Sequence, residues 1–126
     1  MEKAEVVLAP IRRTRDDDGG VYVSEYAEDP SVAAMIPRFL SEVPGRLGAI
    51  KDFMRECDWA GMAKQTHQLR GSAAVYGFVY LSELSAVLEE VLISEPVSSD
   101  RATSLFDRLE DFCGKLIARN TGNPCS

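Results

Sequence analysis

The chain has a single histidine, His67, in the run Lys64-Gln65-Thr66-His67-Gln68-Leu69-Arg70-Gly71-Ser72. A neutral imidazole, whose unperturbed pKa is about 6.5, is a competent nucleophile near neutral pH. Lys64 and Arg70 stand three residues to either side, and on a helix such positions are surface neighbours. Their charges can stabilise the equatorial oxygens of a phosphoryl group passing in line, because that transfer is mostly positioning plus electrostatics. Ala63 and Gly71, one turn away on either side, are small and leave the ring open to approach, while Gln68 borders it. A glycine inside a helix costs about 1 kcal/mol relative to alanine. Either Gly71 packs against another helix or something outside the chain must come close to it. No second base, carboxylate dyad or metal motif accompanies His67 in the sequence. Such a group can carry a substituent but has little means of making or hydrolysing one.

Other reactive residues offer less. Cys57, Cys113 and Cys125 are odd in number, widely spaced and without metal-ligand spacing, so they read as reduced thiols, the first two partly buried on helices. No serine elbow or zinc motif occurs, which argues against an independent hydrolase. Asp16-Asp17-Asp18 beside two glycines is read as solvated linker, and Trp59 as a packing residue. The net charge of -6 provides no basic footprint, so nucleic acid is not an expected partner. No apolar run reaches the roughly 20 residues that span a bilayer, and Glu2 and Glu5 stand where a secretory signal is basic. The expected location is cytoplasmic, with no membrane contact.

The elements that must position His67 follow from periodicity. At 126 residues, 45% hydrophobic and 27% charged, the composition fits one globular domain. Residues 1–20 lack a sustained period and are expected to form a flexible arm. From Asp29-Pro30-Ser31 the pattern turns helical, with Asp29 as N-cap and Pro30 in the first helical position. Pro37 and Pro44 interrupt the series Ile36, Leu40, Val43, Leu47, Ile50 and Met54, which predicts a short lead-in helix, a break near Pro37 and a bend near Pro44. The helix bearing His67 starts at Asp58 and ends near Gly77. A third follows with Leu81, Leu84, Leu88, Val91 and Leu92 and stops before Pro96. The last begins near Ser98 to Asp100, with Leu105, Phe106, Leu109, Phe112 and Leu116, and ends by Asn120. Together these predict an all-α fold, an antiparallel up-down four-helix bundle over residues 21–120 with a short N-terminal lead-in helix, and a disordered tail at 121–126. At about 100° per residue, Met62, Thr66, Leu69, Ala73 and Tyr76 share one arc and His67 projects roughly 120° from its centre, toward water.

His67-Gln68-Leu69-Arg70-Gly71-Ser72-Ala73, followed by Tyr76-Gly77-Phe78 and Leu81, resembles the signature of the histidine-containing phosphotransfer (HPt) domain family. Asp58-Trp59, Phe39-Leu40, Leu47 and the Leu84 to Glu90 segment extend the likeness over about residues 21–119. The resemblance implies a four-helix bundle whose exposed histidine relays phosphoryl groups between aspartates of receiver domains. It makes His67 the phosphoacceptor, through Nε2, with Arg70 and Lys64 stabilising the phosphoryl group and Gln68, Gly71 and Ala63 bordering the site. Arg70 takes the place of the more usual lysine and presents a planar fork instead of a point charge. Thr66 stands where a smaller alanine is common. The implied partners are response-regulator receiver domains and a hybrid histidine kinase, the chain itself being a monomer. No cofactor is implied, any Mg²⁺ belonging to the acidic receiver pocket, and no autonomous kinase or hydrolase activity is expected. Ile36, Phe39 and Leu40 form either a docking patch for the receiver or part of the core. The runner-up is a non-catalytic helical adaptor that binds receivers or kinases, although such a protein has no need of His67. The phosphoacceptor domain of a true histidine kinase fits less well, since Gln68 follows the histidine where an acidic residue is typical and no proline occurs before Pro96.

Overall fold

In the computed structural model, which describes residues 21–121, the helical succession begins where the capping residues require. The Asp29 carboxylate accepts from the Ser31 N–H at 3.1 Å, and Pro30 opens the short helix α1, Pro30–Ala33. The chain breaks at Ala34 and Met35, just before Pro37, which then sits in the first turn of α2, Ile36–Arg55. A proline there forfeits no intrahelical hydrogen bond. Pro44 does not interrupt α2, which runs on to Arg55. Asp58 caps α3, Trp59–Val75, accepting from Gly61 N–H at 3.0 Å. Helices α4, Val79–Leu92, and α5, Ser99–Thr121, complete the described chain, in which there are no strands. The arm expected over residues 1–20 and the tail, apart from Thr121, lie outside the described residues, as does Cys125.

Each of α3, α4 and α5 packs on the helix before it and α5 closes back onto α2, so the four form an antiparallel ring around one core, with α1 resting on α2. Val43 and Ile50 of α2, Met62 and Leu69 of α3, Leu81 and Leu88 of α4, and Phe106, Leu109 and Leu116 of α5 are fully buried. Each such side chain contributes about 1.5–3 kcal/mol of transfer free energy. Phe39 stacks on Tyr76 and Phe78 with ring centroids 5.0 and 5.7 Å apart. Ile36, Phe39 and Leu40 are all buried, so they belong to the core and do not form an exposed docking patch. Thr66 is tolerated inside because its hydroxyl donates to the Met62 carbonyl at 2.8 Å within the same helix.

Two turns carry left-handed backbone. Gly77, at φ 81°, ends α3 and lets the chain reverse into α4. The segment before α1 is fastened over this turn: Ser24 Oγ donates to the Tyr76 carbonyl at 2.5 Å, and Glu25 N–H to the Gly77 carbonyl at 2.9 Å. At the same end of the bundle Tyr22 stacks on Phe112, and its carbonyl accepts from Asn120 Nδ2 at 2.6 Å. The α2–α3 turn holds Cys57 at φ 56°, exposed and outside any helix, contrary to the partly buried helical position expected for it. Its residue type was no guide, because a tight turn at Asp58 decides the backbone there. Cys113 is buried on α5, and desolvation, reinforced by Glu110, pushes its thiol up to about 12.

Gly77→Ala places a Cβ within 2.6 Å of Ser24 Oγ at a positive φ. It is expected to lower stability by about 1–3 kcal/mol, read as a reduced urea midpoint; an unchanged midpoint removes this turn as a constraint. Since only the thiolate reacts, Cys113 should resist alkylation at pH 8 in the folded protein and label on unfolding.

Candidate functional site

Because α3 buries Met62, Thr66, Leu69 and Ala73, each 0% exposed, the opposite face of the same helix must carry His67 outward. Its side chain is 64% exposed. The ring nevertheless has a fixed neighbour. Glu89, from the antiparallel helix α4, sets Oε2 at 3.0 Å from Nδ1 of His67 and accepts from Arg70 Nη1 through Oε1 at 2.6 Å. One carboxylate therefore clamps both side chains, itself only 15% exposed. A second link, from Ser82 Oγ to the Arg70 carbonyl at 3.1 Å, ties α4 to the same turn of α3.

An ionised carboxylate can only accept, so the contact requires the proton on Nδ1. In the neutral ring the lone pair then sits on Nε2, directed away from Glu89. This is the second-neighbour logic by which a hydrogen bond to one ring nitrogen selects the chemistry of the other. The sequence shows no carboxylate dyad or cluster around His67, and the single carboxylate that reaches it comes from another helix. Glu89 lies 22 positions further on, on a different helix, and looks like any acid on an amphipathic surface. A signal was present all the same: counting outward in both directions from the turn at Gly77 brings the stretch around Glu89 level with His67.

Arg70 is beside His67, but its guanidinium is held by Glu89, so its charge is largely compensated. Lys64 is exposed on the same helix and Gln68 is exposed next to the ring. Gln68 Oε1 lies 3.5 Å from Arg46 Nη1 of α2, which brings a cation that sequence spacing did not reveal. Gly71 is exposed, and a Cβ built on it meets nothing within 4 Å. Internal packing thus gives no reason for this glycine, and the alternative that it lodges another helix is set aside. Ala63, at 9% exposure, belongs to the core cluster and does not form an open border. Among the described residues no group of three or more histidine, cysteine or acidic side chains is placed to hold a metal ion.

A family model for the Hpt domain matches residues 34–119, more than half of the chain. The chain belongs to the Hpt domain family. Hpt domains take part in phosphotransfer within phosphorelay signalling, as phosphocarriers and not as conventional enzymes, and they interact with receiver domains and histidine kinases. No curated protein and no solved structure matched this Hpt chain. No described helix is long and apolar enough to cross a membrane.

If the Glu89 carboxylate selects the tautomer, ¹⁵N NMR of the His67 ring at neutral pH should show the Nδ1–H form dominating in the parent protein. Glu89→Ala should restore a mixture in which Nε2–H prevails, as in free imidazole side chains, with stability lowered by about 1 kcal/mol because both partners of Glu89 are solvent-exposed. Identical ring signals in the two proteins would dissociate Glu89 from the tautomer.

Proposed function

We propose that this Hpt domain is a histidine phosphocarrier of a multistep phosphorelay, accepting a phosphoryl group on His67 from the phosphoaspartate of one receiver domain and passing it to another. The observation that carries the reading is the exposed ring whose Nδ1 is held by Glu89, which leaves Nε2 as the nucleophile. In the transfer the Nε2 lone pair attacks phosphorus in line, the N–P bond forms, and the bond from phosphorus to the aspartyl oxygen breaks to release a carboxylate. The Nδ1 proton stays in place. The ring becomes a phosphorylated imidazolium, and the Glu89 carboxylate opposite Nδ1 offsets its positive charge. Passing the group onward reverses these steps on a second aspartate.

Arg70 supplies the cation for the moving phosphoryl group by exchanging Glu89 for its oxygens, a short swing for a side chain that is 44% exposed. Lys64 adds positive charge on the other side of the ring, and Gln68 borders it. Gly71 leaves room for the receiver's surface. The domain carries the group without autonomous kinase or hydrolase activity, in keeping with the phosphocarrier role of Hpt domains. Mg²⁺ belongs to the receiver's acidic pocket, and the domain itself needs no cofactor. The natural setting of such a relay is the cytoplasm, with a hybrid histidine kinase and response regulators as partners and the domain acting as a monomer. A non-catalytic adaptor would have no use for a histidine presented with its tautomer selected, which favours the carrier reading.

Incubation with a phosphorylated receiver domain should yield one acid-labile, base-stable phosphoryl group per chain, absent from His67→Ala, whose helicity by circular dichroism stays the same. Label surviving in that variant defeats the assignment. Arg70→Ala should slow transfer by about 10²-fold, the scale of losing one electrostatic stabiliser, with little change in the unfolding midpoint. Gly71→Ala should have the opposite signature, raising stability by about 0.5–1 kcal/mol while slowing transfer from a receiver. A variant that gains stability and transfers normally shows that nothing approaches Gly71.

A further inference from the structure

The two flanks of His67 carry opposite charge. On the helical wheel Lys64 and Gln68 lie on the side of the ring toward α2, and Arg70 on the side toward α4. On the α2 side Arg46 adds a second cation beside Lys64, and its hydrogen-bond partner, Gln68, is neutral. On the α4 side the charge of Arg70 is cancelled by Glu89, and beyond that pair stands the exposed acid Glu90. There a groove of about 300 Å³ opens between Arg70, Ala86, Glu89, Glu90 and Ile93. Ile93 stands 63% exposed on its wall and the Glu90 carboxylate is solvent-facing. The groove shares Arg70 and Glu89 with the histidine site and so lies beside the path by which a partner's aspartate reaches Nε2.

Resting on the phosphocarrier reading, we propose that this face is a charge-polarised docking surface for a receiver domain. Arg46 and Lys64 meet the acidic rim around the receiver's phosphoaspartate, and the groove takes a lysine or arginine from the receiver's opposite edge. Apolar walls at Ala86 and Ile93 with a carboxylate at the mouth suit a side chain that has an aliphatic stem and a cationic head. Complementary charge of this kind speeds encounter and penalises the wrong register by like-charge contact. Here it acts on rotation about the axis through His67, the one degree of freedom that the in-line geometry at phosphorus leaves unsettled. Receivers that lack a basic residue at that edge are selected against.

The test uses Arg46→Glu and Glu90→Lys in the full chain. Phosphoramidate, which phosphorylates histidine without a partner, should label both variants as fast as the parent protein. Transfer is then followed from each labelled protein to a receiver domain that exchanges phosphate with the parent, over a range of receiver concentrations. Each variant should raise the half-saturating concentration about tenfold and leave the limiting rate within about twofold, with the effect shrinking at high salt. Equal half-saturating concentrations in the three proteins overturn the docking surface and leave the carrier reading standing. A parent protein labelled by phosphoramidate that exchanges with no receiver overturns the carrier reading itself.

Discussion

A helix that buries Met62, Thr66, Leu69 and Ala73 has no freedom over the direction of His67. The backbone rotates about 100° per residue, so filling the core with one stripe commits the opposite stripe to water. Everything at the site inherits this constraint. Arg70 and Gly71 are brought beside the ring by the same geometry, and α4 can deliver Glu89 only because its own apolar stripe, including Leu81 and Leu88, holds it in register against α3. The reactive position is therefore preorganised by packing that has no direct contact with it. A core substitution that rotated α3 by one residue would turn the imidazole aside without altering any atom of the site.

The clamp made by Glu89 has a chemical consequence that a lone exposed histidine lacks. A free imidazole divides its proton between two nitrogens, and either may face an incoming electrophile. With one nitrogen committed to a carboxylate, the neutral ring keeps its lone pair on the outward one. The same carboxylate keeps Arg70 close to the ring yet compensated, so the resting surface does not present a bare cationic pocket to unrelated anions. In the proposed transfer, Arg70 would exchange Glu89 for the arriving phosphoryl group, linking electrostatic recognition to the chemical step.

Much of the bundle was legible in the sequence because its signals are local. Asp29-Pro30 and Asp58 announce helix starts, Gly77 a helix end, and the three-and-four spacing of leucines in α4 and α5 the buried faces. The outward direction of His67 followed from the same arithmetic. What escaped was the information carried between helices. Glu89 and Arg46 reach the site from neighbours 22 and 21 positions away, and no local pattern distinguishes them from ordinary surface charges. Ile36, Phe39 and Leu40 were ambiguous for a related reason, since an apolar stripe looks the same whether it meets the rest of the chain or another molecule. Cys57 was misplaced because a capping aspartate, not the thiol, governs its turn.

The bond between Asn120 and the Tyr22 carbonyl brings the two ends of the described chain side by side at the end of the bundle that holds the Gly77 turn. His67 lies ten residues of helix away, about 15 Å at the α-helical rise. Because Tyr22 and Asn120 meet away from the reactive surface, a covalent link between these two positions leaves the packing that presents the imidazole intact.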